Sequence, residues 1–219
     1  MKLYTSPTAP NPRRVHVFAA EKGIELDCIV VSLNEGAHFA EAYARLNPDK
    51  VVPTLVLDDG TVIHESVAIC RYLDAAFPEP NLCGETPAEI GLVSMWVRRV
   101  ELQMYQPVQD AYRNSRRGFA GRALPGSRGE VPQIPELVER SNQTFARMAA
   151  KLDTALQTRD YVALPRYSLA DTVAFTTYEF ALRTKLEVAA QCIETAATQA
   201  WFQRMLHRPS AASEASSPR

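Results

Sequence analysis

The stretch Val51-Val52-Pro53-Thr54-Leu55, followed by Glu65-Ser66-Val67-Ala68-Ile69, constrains this chain more than any other. A Val-Pro dipeptide opening an apolar strand is a place for a cis X-Pro bond, and in that geometry the main chain of Val52 turns outward. Proline donates nothing, so the edge offers one N–H and one C=O of Val52 to an extended peptide, the strand-addition mode of recognition. Ser66 immediately precedes an apolar periodic run. A serine there caps a helix and leaves neighbouring N–H groups free for a carboxylate. The two sites together suit one short acidic peptide.

At 219 residues the chain is one large domain or two small ones and buries a substantial core. Its net charge of −1 provides no global field to recruit nucleic acid or an anionic membrane, so neither is expected as a partner. Met1–Pro7 lacks an apolar core of signal-peptide length, no apolar stretch approaches the ~20 residues that span a bilayer, and a cytoplasmic protein is expected. Cys28, Cys70, Cys83 and Cys192 form no C-x-x-C pair, and His16, His38, His64 and His207 lack metal-ligand spacing. No metal is expected.

Residues 2–5 are a short strand. After Pro7-Thr8-Ala9-Pro10 a helix is expected, with Asn11 at the cap and Pro12 at its first position, ending at Gly23. Leu26–Val31 alternates like a strand. A second helix spans 37–46, a strand follows Pro53, Asp58-Asp59-Gly60 turns a hairpin, a strand covers 61–63, and a helix covers 66–76. The order β-α-β-α-β-β-α is thioredoxin-like and occupies residues 1–78.

Residues 77–85 hold two prolines, Asn81 and Gly84 and read as a linker. Everything beyond is helical, giving an all-α domain over 86–208. Thr86-Pro87-Ala88-Glu89 is a helix start, and Pro107 should bend or break the helix that follows. Residues 116–134, rich in Arg and Gly, read as a mobile solvated loop. A helix spans 135–156, Tyr167-Ser168-Leu169-Ala170-Asp171 caps the next, another surrounds Trp201, and residues 209–219 read as a frayed tail.

Asn47-Pro48, Val52-Pro53-Thr54-Leu55 and Glu65-Ser66 resemble the glutathione-binding signature of the cytosolic (soluble) glutathione S-transferases, bacterial type. Ser6-Pro7, Arg13-Arg14-Val15, Glu21-Lys22-Gly23, Ser168-Leu169-Ala170-Asp171, Trp201 and Arg208-Pro209-Ser210 extend the likeness over nearly the whole chain. The resemblance implies an α/β thioredoxin-like N-terminal domain, an all-α C-terminal domain, glutathione as co-substrate, a small electrophile as second substrate, and a homodimer.

It also implies roles. Val52 main-chain groups would hold the cysteinyl unit, Pro53 would fix the turn, and Glu65 and Ser66 would meet the ammonium and carboxylate of the γ-glutamyl end. His38, at the spacing from Asn47 where a plant-type family carries a histidine, and Lys50 would face the glycine carboxylate. Set against the serine-type families, the catalytic serine falls on Ala9, which has no hydroxyl. Thr8, Ser6 and Asn11 are left as the candidates for activating the thiol, and Tyr4, inside the strand, reads as packed. The helix start near Asn11, with Arg13 and Arg14 close by, favours an anion. Met104, Tyr105 and Tyr112 are candidates for an apolar electrophile pocket, with the Gly-rich loop near it. Two other readings fit these residues: a glutathione-dependent disulfide or peroxide reductase, and a non-catalytic ligand-binding protein of the same fold.

Overall fold

The computed structural model describes residues 1–7, 9–129 and 131–213 and divides into two compact units. Met1–Pro80, joined by the described residues from Arg208 onward, forms the first; Asn81–His207 forms the second.

The first unit runs β1 (Lys2–Thr5), α1 (Pro10–Glu21), β2 (Asp27–Val30), α2 (Glu41–Leu46), β3 (Thr54–Val56), β4 (Val62–His64) and α3 (Ser66–Ala76). The sheet order is β2-β1-β3-β4, with β1 parallel to β2 and the other two pairings antiparallel. Leu3 lies opposite Leu55 on the central strands and both are fully buried, a contribution of about 1.5–3 kcal/mol each. Val15 and Phe18 of α1 and Ile69 and Leu73 of α3 complete this core. The hairpin closes at Gly60, whose φ of +86° suits glycine, while Asp59 Oδ1 accepts from Thr61 N at 2.9 Å and sets β4 one residue later than expected.

Helix α1 departs from expectation at its start. Ala9 is the extended cap, Pro10 is the first helical residue, and Asn11 and Pro12 lie inside the first turn. Both prolines occupy positions whose N–H would have no helical partner, so the helix loses nothing by starting at the earlier one. The expected helix over 37–46 is split: Ala37–Phe39 is a 3-10 turn, and Ala40 is extended at φ −60° and ψ 143° before α2 begins.

The second unit contains α4 (Pro87–Val100), α5 (Gln106–Ser115), α6 (Pro135–Leu156), α7 (Leu169–Arg183), α8 (Glu187–Ile193) and α9 (Ala196–Leu206). Pro107 does not break the chain's course. A π-helical segment, Glu101–Tyr105, runs directly into α5, and its wider turn accommodates the proline ring with no residue leaving helical dihedrals at either junction. Nearly every residue of α7 is buried, so this helix is the axis of the unit. Its capping box is built on Asp171, whose Oδ2 accepts from Ser168 N and Oγ at 3.0 Å, while Oδ1 accepts from Val162 N and Trp201 Nε1.

Two stretches expected to be loose are held. Arg113 donates to the carbonyls of Arg122, Ala123 and Leu124, each at 2.8 Å, and a bridge joins Arg122 to Val131, so the Arg- and Gly-rich segment is pinned to α5. Pro209–Ala212 forms a 3-10 turn against α1: Arg208 pairs with both carboxylate oxygens of Glu21 at 2.6 Å, and Arg13 donates to Ala211 O at 2.7 Å. Residues 214–219 of the expected tail lie outside the described residues.

Candidate active site

The site in the first unit is assembled from three chain segments. At the end of β4 the chain reverses at Glu65, which adopts φ +69° and ψ 119° and is itself the cap of α3. A non-glycine residue held there costs on the order of 1–3 kcal/mol and is typical of ligand clamps. Ser66 is thus the first helical residue and not the cap. Its Oγ, in a residue 2% exposed, accepts a hydrogen bond from Arg14 Nη1 at 3.0 Å. Arg14, 1% exposed, projects from α1, so a buried cation stands directly behind the α3 N-terminus. Glu65 is exposed beside it.

The second segment carries Val52-Pro53, joined by a cis peptide. Val52 is 7% exposed and packs with Val31 and Tyr43, and Ala9 and Tyr4 pack against the same cluster. Its main-chain N–H and C=O have no hydrogen-bond partner among the described residues. The turn is fixed from behind: Tyr43 Oη donates to Val51 O at 2.5 Å, and Asn47 Nδ2 donates to Val51 O at 2.9 Å and to Thr54 Oγ1 at 3.0 Å. Tyr43 lies in α2 and Asn47 is the extended residue that ends it, so the clamp comes from the last turn of the helix and its cap. Burial pushes the Tyr43 phenol above its ordinary value, so it stays a donor across the working range.

The third segment is the start of α1. With Pro10 and Pro12 flanking it, Asn11 is the one residue of the first three helical positions that carries an N–H. Ser6 is buried and its carbonyl accepts from Ala9 N at 3.2 Å; Thr8 lies outside the described residues. Arg13 does not face this end, being drawn to the carbonyls of Ala211 and Ser213. Behind β1, His16 Nε2 and Thr5 Oγ1 are 2.9 Å apart. Burial, reinforced by Arg13, pulls His16 down to about 4, so the ring is neutral.

Of the remaining candidates, His38 sits in the 3-10 turn with its ring 4.0 Å from that of Phe39, and half-buried Lys50 has φ +55°. Tyr4 is packed, its ring 5.9 Å from Tyr43. In the second unit, Met104 lies in the π-helical segment and is fully buried. Tyr105 and Tyr112 are half-buried and linked through Phe180, at ring separations of 6.2 and 5.7 Å. Among the described residues no group of three or more His, Cys, Asp or Glu could hold a metal, and no helix is long and apolar enough to cross a membrane.

A four-stranded mixed sheet with helices, followed by a helical unit, is the thioredoxin-like architecture of the glutathione transferases. The model of the glutathione S-transferase N-terminal domain matches residues 8–76, and that of the C-terminal domain matches residues 119–209. The chain is 34% identical over 212 residues to glutathione S-transferase 2 of Saccharomyces cerevisiae, covering 96% of this chain and 87% of that one. Among solved structures it is similar to a glutathione S-transferase domain-containing protein of Marinobacter aquaeolei VT8, with a TM-score of 0.86, 30% identity, and 96% and 99% of the two chains covered. It is similar also to Gtt2 of Saccharomyces cerevisiae, with a TM-score of 0.85, 33% identity, and 96% and 98% covered. The chain belongs to the glutathione S-transferase family, and it is a glutathione S-transferase enzyme whose co-substrate is glutathione.

Proposed function

We propose that the protein conjugates the glutathione thiolate to an electrophilic, largely apolar small molecule, as a cytoplasmic detoxifying homodimer. The observation that carries this reading is the Arg14–Ser66 pair at the first turn of α3. A carboxylate placed there meets the Ser66 hydroxyl, the free N–H groups of the turn and a cation behind them. Glu65, exposed beside it, has the sign to hold the γ-glutamyl ammonium. Val52, clamped through its neighbour by Tyr43 and Asn47, presents the N–H and C=O that an extended cysteinyl unit needs, and Pro53 fixes that edge. His38 and Lys50 take the glycine carboxylate.

The chemical task is to ionise a thiol whose ordinary pKa is about 8.5. Among Thr8, Ser6 and Asn11, we assign it to Asn11, whose main-chain N–H and side-chain amide lie at the positive end of α1. The thiol gives its proton to solvent, the sulfur bonds to the electrophilic carbon, and the leaving group departs with the bonding pair. Tyr105 and Tyr112 supply the apolar surface for the electrophile. Exposed Ile90 and Leu92 on α4 support self-association, and four cysteines outside any disulfide suit a reducing compartment.

The test is conjugation of 1-chloro-2,4-dinitrobenzene across pH. Expected is a rate rising through an apparent pKa one or more units below the free thiol, moving up by about one unit in Asn11→Ala. Absence of conjugation, with turnover of a mixed disulfide in its place, overturns the reading.

A further inference from the structure

We propose that the electrophile carries an anionic group, a carboxylate or sulfonate on an aryl ring, held by Arg116 and Arg122. This rests on the transferase reading and names the substrate class of its second site.

The aromatic contacts of the second unit form a continuous chain. Tyr105 meets Phe180, Phe180 meets Tyr112 at 5.7 Å, and Tyr112 meets Phe119 edge-on at 5.2 Å. The chain ends under guanidinium groups: Arg113 lies 4.4 Å from the Phe119 ring centre, Arg122 lies 5.5 Å from the same centre, and Arg116 lies 5.9 Å from that of Tyr112. A guanidinium held over a ring keeps its edge donors, the fork that reads a carboxylate; those of Arg113 are spent on three carbonyls, whereas Arg116 and Arg122 each donate to one.

Their hydrogen bonds are of one kind. Arg113 donates to three carbonyls, Arg116 to Thr184 O and Arg122 to Gly118 O. None of the three pairs with a carboxylate among the described residues. Asp110, the acid of α5, accepts from Gln106 Nε2 at 2.9 Å instead. Arg113 is held below its ordinary value by burial and by the charge of Arg122, so the like charges of this cluster act on one another. An aromatic surface bordered by mutually repelling, carbonyl-bound cations matches a flat molecule with one acidic substituent. Arg113, with three carbonyls to hold, is the positioning residue; exposed Arg116 and Arg122 have donors to spare.

The probes are 4-chloro-3,5-dinitrobenzoate and its methyl ester, which present the same reacting ring with and without the charge. Their kcat/KM values are each divided by the uncatalysed rate with glutathione, and the Kd values of the two glutathione conjugates are measured by calorimetry. Expected is an acid-over-ester preference of about tenfold in both measurements, falling towards one in Arg116→Gln/Arg122→Gln and retained in Arg116→Lys/Arg122→Lys. The preference of the unmutated protein should also decline as salt is raised, a readout independent of how any variant folds. Equal handling of acid and ester by the unmutated protein overturns the proposal while leaving the transferase reading intact. Absence of conjugation of either probe, with the Kd preference present, contradicts the transferase reading and supports the anion site.

Discussion

Arg14 Nη1 donates to Ser66 Oγ at 3.0 Å, joining α1 to α3 through side chains that are both buried. A hydroxyl engaged this way is pre-oriented, and the guanidinium brings a positive charge to a helix end already favourable to anions. Removing the hydroxyl leaves a buried charged donor without its acceptor there. Ser66→Ala should lose about 1–3 kcal/mol of stability in urea unfolding and weaken glutathione binding by roughly tenfold or more. Unchanged calorimetric affinity in that variant contradicts the assigned carboxylate position.

Asp171 is fully buried and accepts four hydrogen bonds, from Val162 N, Ser168 N and Oγ, and Trp201 Nε1. Asparagine can accept at one atom only, and its amide would face the donors meant for the other. We expect Asp171→Asn to cost at least about 3 kcal/mol, with Trp201 fluorescence reporting the loosened contact. A melting temperature like that of the unmutated protein would refute the capping role.

His16 gives the first unit an acid sensitivity. Its folded-state value of about 4 lies below the ordinary 6.5, so the unfolded chain binds the extra proton between these limits. Stability from this group is present above pH 6.5 and is lost as pH falls towards 4, by up to roughly 3 kcal/mol. Asp171 has the opposite sign: burial pushes it up to about 6, so its contribution is present below pH 3.8 and is lost as pH rises through 6. Urea unfolding from pH 7 to 4 should show a shallower acid loss in His16→Gln and a steeper one in Asp171→Asn; parallel curves would rule out both assignments.

Arg208 clamps Glu21 with two hydrogen bonds at 2.6 Å, and the Glu21 side chain is 8% exposed. Arg208→Gln leaves that carboxylate without its cation. A loss of about 1.5–3 kcal/mol and faster proteolysis after residue 207 are expected. Proteolysis at the unmutated rate would show that the clamp does not hold the tail.

Much of the first unit was legible because its signals are local. Gly60 and the two aspartates before it marked the hairpin, and the apolar spacing of Val67, Cys70 and Leu73 marked α3, which spans Ser66–Ala76 as expected. Long-range side-chain partners were not legible. Arg13 and Arg14 are adjacent and alike in sequence, yet one is taken by Ala211 and the other by Ser66, choices made by which face of α1 each occupies. The start of α1 was misplaced because two prolines compete for the same helical turn. Loop 116–134 looked mobile because composition cannot show that Arg113 staples three of its carbonyls. The apolar repeat that includes Met104 did not show that the helix passes through a π-helical segment there, where Met104 is fully buried.

The most direct test of the central claim is a calorimetric titration of glutathione into the unmutated protein, repeated with a peptide whose glutamyl link runs through the α-carboxylate. Saturable binding of glutathione with a Kd at or below about 1 mM, and at least tenfold weaker binding of the α-linked isomer, is expected from the Val52 edge and the Glu65–Ser66 turn acting together. No heat from glutathione up to roughly 10 mM, or equal affinity for the two peptides, would contradict it.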